Sequence, residues 1–114
     1  MAAWSDVVAA GTRFPEVTES TSYGTPALKV NGALMCRLRD EEEGVLMVRV
    51  VDLEDKAALL REDPDVFFTV DHYDGHASVL VRLGAVGAGR LAELLEDAWR
   101  LRAPKRALAA FDAQ

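Results

Sequence analysis

Asp71-His72-Tyr73-Asp74-Gly75-His76 gathers both histidines of the chain and two carboxylates in one short stretch. Imidazole nitrogens and carboxylate oxygens are donors for a divalent metal, but this spacing matches no closed zinc site, and one loop rarely supplies four ligands in correct geometry. The competing reading is a polar loop in which His72 and Tyr73 hydrogen-bond back to hold a hairpin. No metal and no cofactor is expected. Cys36, the single cysteine, falls among apolar residues and reads as an inert small hydrophobe. Ser20, Thr21, Ser22 and Thr25 lack any motif that would set one of them up as a nucleophile. Gly84, Gly87 and Gly89 lack the phosphate-cradling pattern. The chain is read as a non-enzyme.

Cations are more informative. Lys29, Arg37, Arg39, Arg49 and Arg82 fall, by strand alternation, on one sheet face with no acid inside the same strand segments. Arginine forks match phosphate oxygens, so this face suits the phosphate backbone of DNA. The plainer reading is a solvated face whose arginines lie over Met35, Met47 and Leu80 and pair with Glu41 to Glu43. A second group, Arg100, Arg102, Lys105 and Arg106, contains no acid between Trp99 and Ala107. A helix end favours such charges through its dipole. Helical spacing places Arg102 on an apolar stripe, so either the helix has ended by then or Arg102 has a specific partner.

The elements that must position these residues follow from periodicity and breakers. A short helix over residues 4–13 ends near Gly11, with Ser5 or Asp6 available as its cap. Val17–Tyr23 reads as an edge strand, Gly24-Thr25-Pro26 as a turn, and Ala27–Val30 as a strand closed by the hairpin signal Asn31-Gly32. In Ala33–Arg39 strict alternation puts Leu34, Cys36 and Leu38 on one face and Met35, Arg37 and Arg39 on the other. After the acidic turn Asp40–Gly44, Val45–Val51 returns. If residues 39 and 45 face each other, Leu34, Cys36 and Leu38 oppose Val50, Val48 and Leu46.

Asp52 caps a helix over Leu53–Glu62, which Asp63-Pro64 ends. The stretch Asp63–Leu83 then lays down an aromatic strand, the histidine loop and a second strand. A helix over Ala88–Leu101 carries Leu91, Leu94, Leu95, Ala98 and Leu101 as one stripe, with Glu96 four residues before Arg100. Pro104 opens a terminal helix, Lys105–Phe111. The order is α-β-β-β-β-α-β-β-α-α, which implies an α+β two-layer domain, a mostly antiparallel sheet with helices packed on one face.

With 114 residues, half of them hydrophobic and 28% charged, the chain reads as a single globular domain over 1–114 that needs no disulfide. One cysteine, no basic and apolar leader and no long apolar run imply a cytoplasmic, non-membrane protein. Nineteen acids against 13 bases leave a net charge of −6. That total opposes nonspecific binding to nucleic acid or anionic membrane, so any such binding requires an uneven charge distribution.

Three separated motifs occur in order: Tyr23-Gly24-Thr25-Pro26; Asp63-Pro64-Asp65-Val66-Phe67-Phe68 leading to His72-Tyr73; and Ala98-Trp99-Arg100 with Ala103-Pro104-Lys105-Arg106. Together they resemble the MmcQ/YjbR family over nearly the whole chain. The resemblance implies a small bacterial domain with a fold like that of type III secretion chaperones, labelled a "double wing" DNA-binding family, with no enzymatic activity attached. It also implies a structural role for Tyr23, Gly24, Pro26, Pro64, Phe67, His72, Tyr73, Trp99 and Pro104. Where it implies a bulky aromatic before the last strand, this chain has Ala77-Ser78. Three functions are carried forward: DNA binding through the basic face, a protein-interaction module using Met35 and Met47, and a small-ligand site near Tyr23 and His72. Partners are accordingly DNA or an unidentified protein.

Overall fold

The computed structural model describes residues 2–39 and 42–114. In chain order the elements are α1 (Trp4–Gly11), β1 (Val17–Ser22), β2 (Thr25–Val30), β3 (Ala33–Leu38), β4 (Val45–Arg49), α2 (Leu53–Glu62), β5 (Phe67–Phe68), a 3-10 turn (Asp71–Tyr73), β6 (Ser78–Arg82), α3 (Ala88–Arg102) and α4 (Lys105–Asp112). The strands form one antiparallel sheet in the order β1-β2-β3-β4-β6-β5. Only α2 interrupts the ladder in sequence, and the β5–β6 hairpin then folds back so that β6, not β5, meets β4. The α+β class is the one read from the sequence.

One face of the sheet carries the main core. Leu28, Val30, Cys36, Leu46, Val48, Val79 and Val81 meet the apolar side of α3, whose Leu91, Leu94, Leu95 and Ala98 are buried. Trp99 is the hub at the far end of that layer. It is fully buried, stacks on Phe14 at 5.2 Å, meets Phe111 edge-on at 5.1 Å, and donates its indole N–H to the Pro15 carbonyl at 2.9 Å. One ring thus ties the exit of α1, α3 and α4 together, and its polar atom is satisfied, as burial demands. Burial pushes the Cys36 thiol up to about 12, so it stays protonated and unreactive.

Caps confirm several boundaries and move others. Asp52 accepts the Asp55 N–H at 2.8 Å and starts α2 where expected. In α1 the capping position is Ala3, and Asp6 reaches back to accept the Ala3 N–H at 2.8 Å. Neither Ser5 nor Asp6 is itself the cap. The first hairpin turn is Tyr23-Gly24, both at positive φ (53° and 78°), so Thr25 and Pro26 belong to β2 and not to the turn. Pro26 is tolerated because the β3 pairing begins only at Ala27. Asp40 and Glu41 of the expected acidic turn lie outside the described residues.

Alternation in β3 is broken. Leu28 pairs with Cys36 but Lys29 with Leu34, so Met35 is the extra residue of a β-bulge. The bulge sends Met35 and Cys36 to the same side: Met35 joins the helix-facing core, and Leu34 turns to the opposite face. Leu34 therefore does not oppose Val50, although Cys36↔Val48 and Leu38↔Leu46 pair as expected. An outward Met35 was the natural reading of a period-2 pattern, and a bulge is invisible to that pattern because it resets the phase by one residue.

This placement predicts opposite costs at neighbouring residues. Met35→Ala is expected to destabilise the fold by about 2–5 kcal/mol, as for a fully buried large-to-small change, and Leu34→Ala by clearly less. Urea unfolding of the two variants checks it, and equal or reversed losses would mean the bulge is misplaced.

Candidate binding site on the sheet face opposite the helices

The face turned away from α3 carries Arg37, Val45, Met47, Arg49, Leu80 and Arg82 by register. It is not an open surface. Val45, Met47, Leu80 and Tyr73 form a second small buried cluster, against which Leu34, Phe68 and Val70 pack. The cover is the segment after β5, which bends through the 3-10 turn and lays Tyr73 across the sheet. A two-residue strand cannot hold such a segment alone. Lys56 of α2 does so: its buried side chain donates to the Tyr73 carbonyl at 2.5 Å and to the His76 carbonyl at 3.0 Å. Burial pulls the Lys56 ammonium below its usual pKa, while Asp74 nearby works in the other direction.

Beneath this cover lies Arg37, only 6% exposed. Its guanidinium donates to the Tyr73 hydroxyl at 2.8 Å, the Leu38 carbonyl at 3.2 Å and the Thr25 hydroxyl at 3.4 Å, and sits 5.5 Å from the centre of the Tyr23 ring. Every one of these partners is neutral. Among the described residues no carboxylate pairs with Arg37. Thr25 is held in turn by donating to the Ser22 carbonyl at 2.8 Å.

Around Arg37 the face is recessed into a cleft of about 510 Å³. Arg37, Arg49, His72 and His76 supply its polar lining; Leu34, Met47 and Tyr73 supply the apolar part, and Tyr23 forms the rim. Among the described residues no acid lines it. The His72 and His76 rings lie 6.2 Å apart and nearly parallel, and His72 meets Tyr73 edge-on at 4.9 Å. Tyr23 is 90% exposed although its backbone φ of 53° is a conformation that a bulky residue adopts only at a cost.

Of the five cations expected on this face, all five project from it, but they are not equivalent. Arg37 is buried, and Arg39 lies over the Tyr73 ring at 5.7 Å. Arg82 stacks on Phe68 at 4.1 Å and donates to the Pro64 carbonyl at 3.4 Å. Arg49 donates to the Ser78 hydroxyl at 3.3 Å and Lys29 is half-buried. The expectation of arginines lying over Met35, Met47 and Leu80 is corrected for Met35, which is on the other side; Met47 and Leu80 are on this face and buried, with Arg37 beside Met47 in the register. Expected pairing with Glu42 and Glu43 is absent from the described ion pairs, and Glu41 lies outside the described residues.

The helix-end group behaves differently. Arg100 is clamped by Glu96 at 2.9 Å and Asp112 at 2.7 Å, and Arg106 by Glu16 at 2.7 Å. The hydrogen bonds that Arg100 donates to Asp112 and then to Glu96 hold it above its usual pKa, and the bond accepted from Arg100 holds Asp112 below its own. Lys105 is exposed. Arg102 is the last residue of α3, so the helix has not ended before it; it is exposed, in no ion pair among the described residues, and shares a shallow depression with Arg49. Leu101, expected on the buried stripe, is partly exposed, and Trp99 takes its place.

The remaining motif residues are spread through the fold. Gly24 supplies the positive φ of the first turn, Pro26 is exposed in β2, Pro64 follows α2, Phe67 is in the main core, and Pro104 precedes α4. Among the described residues no group of three or more potential ligands lies close enough to hold a metal ion. A second cleft, about 330 Å³ between α2 and α3, has acids Asp55, Glu62 and Asp97, and its Arg90 and Arg100 are already paired. Burial first, then Asp55, raises the Asp97 carboxyl. What sequence reading missed was Lys56, which carries no motif; its only signal was a lysine at a position of α2 that faces inward. No described helix is long and apolar enough to cross a membrane.

A sequence profile of the YjbR family matches residues 12–101. Uncharacterised proteins of Mycobacterium bovis and Mycobacterium tuberculosis are 32% identical over 124 residues, covering 97% of this chain and 96% of theirs. The crystal structure of a Deinococcus radiodurans protein of the DUF419 domain class superposes with a TM-score of 0.76 at 21% identity, covering 98% of this chain and 89% of that one. That similarity is one of fold.

Two substitutions test the support of the site. Tyr73→Phe removes the hydroxyl that Arg37 donates to and is expected to cost about 1.5–3 kcal/mol, the range for a hydrogen bond to a charged group. Lys56→Met is expected to speed amide hydrogen exchange across residues 71–77 while leaving α3 protected. Unchanged exchange in that segment would show that Lys56 does not hold the loop.

Proposed function

The chain belongs to the YjbR family, and on that premise we propose that it is a non-enzymatic domain that binds DNA by phosphate contacts through the sheet face opposite its helices. The observation that carries this reading is the partition of ion pairs. Among the described residues, the ion pairs all involve the helices: Arg90 with Glu62 and Glu93, Arg100 with Glu96 and Asp112, Arg106 with Glu16. Lys29, Arg49 and Arg82 take part in none. In a protein of net charge −6, these three cations give the sheet face a local positive patch of the kind an acidic protein needs if it is to approach a polyanion, while Arg13, Arg61, Arg102 and Lys105 of the helix layer are likewise in none of these pairs.

Register supports a working geometry. Arg39 donates its backbone N–H to Val45, which pairs with Arg82, so Arg39 and Arg82 flank one β4 residue two strands apart, roughly 10 Å at ordinary strand spacing. Arg49 lies four residues further along β4, roughly 13 Å away, with Arg102 continuing the positive surface around the sheet end. Side chains of this kind contact backbone phosphates without reading bases, so affinity without strong sequence preference is expected. The helix-end residues Arg100 and Arg106 drop out as contacts because they are already paired.

The protein-interaction reading loses Met35 and Met47 as exposed anchors. What favours it now is a different patch, exposed Val51, Leu53 and Leu101, whose apolar area is the kind that partners cover.

Fluorescence anisotropy of a labelled duplex tests the DNA reading. Binding through about four cations is expected to give a slope of log affinity against log salt near −3 to −4. Replacing Arg49 or Arg82 by Gln is expected to reduce that slope by about one each. No binding at low salt, or a slope indifferent to both substitutions, would defeat the proposal.

A further inference from the structure

A guanidinium stays protonated at any ordinary pH, and burying a charge without a counter-charge is costly. Arg37 is in that position: nearly buried, hydrogen-bonded to two hydroxyls and a carbonyl, and facing no carboxylate among the described residues. Its charge is solvated by dipoles but not neutralised. The cleft above it adds a second guanidinium, Arg49, and two imidazoles, His72 and His76, with no acid in the described lining.

Three further features narrow the ligand. At about 510 Å³ the cleft is of the size that small molecules occupy, roughly 300–1,000 Å³. Leu34 and Met47 give it an apolar side. Tyr23 stands at its rim, almost fully exposed and in a left-handed conformation that Asn or Gly adopts at less cost. An exposed aromatic held at such a position adds little buried area to the fold, and its ring is a flat surface 5.5 Å from the Arg37 guanidinium.

We infer that this cleft binds a small organic oxyanion carrying a planar ring, the oxyanion neutralising Arg37 and Arg49 and the ring lying against Tyr23. This goes beyond the DNA reading and does not depend on it: a duplex lies across the projecting cations, whereas this site is recessed and uses a ring that the duplex contacts do not.

The test titrates the full chain with adenosine 5′-monophosphate and with benzoate, following the His72 and His76 ring resonances by NMR, beside neutral adenosine and benzamide and inorganic phosphate. Both organic anions are expected to give saturable shifts, the neutral compounds none, and phosphate at least tenfold weaker binding. Tyr23→Asn keeps a favourable turn residue and is expected to raise the melting temperature while weakening both organic anions about tenfold. Arg49→Gln is expected to weaken them similarly. Duplex anisotropy on Tyr23→Asn separates the two readings, since DNA affinity is expected to stay as it is. Absence of saturable shifts with both anions, equal response to the neutral compounds, phosphate binding as tight as the organic anions, or indifference to Tyr23→Asn would each overturn the inference.

Discussion

The Arg37 guanidinium is a permanent charge placed under the cover of a sheet face, and the arrangement of that face follows from keeping it hydrogen-bonded. Its three donor contacts come from three places: the first hairpin through Thr25, its own strand through Leu38, and the loop after β5 through Tyr73. The last is the most distant in sequence and the closest in space. Lys56, on a different element again, supports it by donating to the carbonyls of Tyr73 and His76. The connection runs from α2 to the loop that carries Tyr73 and from Tyr73 to Arg37, both links made by a charged donor on a neutral acceptor. Such bonds are stronger than neutral pairs and costly to leave unmade.

The two sides of the sheet solve different problems. The helix side buries apolar area continuously and uses Trp99 to lock α1, α3 and α4 together, which is where the hydrophobic stabilisation resides. The other side buries only a small apolar island and surrounds it with cations lying on aromatic rings: Arg37 near Tyr23, Arg39 near Tyr73, Arg82 on Phe68. Ring faces attract cations modestly, enough to orient the side chains that lie on them. On the helix layer Arg90, Arg100 and Arg106 pair with carboxylates. Lys29, Arg49 and Arg82 on the far face stand in no ion pair among the described residues, and the proposed DNA surface and the proposed anion cleft both draw on cations of that face.

Much of the fold was legible. The boundaries of α2 match because Asp52 and Pro64 are strong local signals, and the Asn31-Gly32 hairpin because both residues accept positive φ. The first hairpin was misplaced by one step, since Tyr23 at positive φ defies the preference of an aromatic residue. The strand alternation failed at Met35, where an added residue left no trace in the hydrophobic pattern. The candidate site was legible only as a list: the cations were correctly put on one face, but their division into buried, ring-stacked and exposed was not.

Sequence by itself determined the class, the element order, the helix-facing stripe and the family, because each depends on periodicity and on residues acting within a few positions of themselves. Tertiary structure alone decided that β6 rather than β5 adjoins β4, that the histidine loop folds over the far face, and that Arg37 is enclosed with neutral partners. Those outcomes rest on contacts such as Lys56 to His76 and Arg37 to Tyr73, whose partners are 20 and 36 residues apart. No local propensity encodes them; they form because a charge and a set of carbonyl and hydroxyl oxygens must be satisfied at once inside a packed interior.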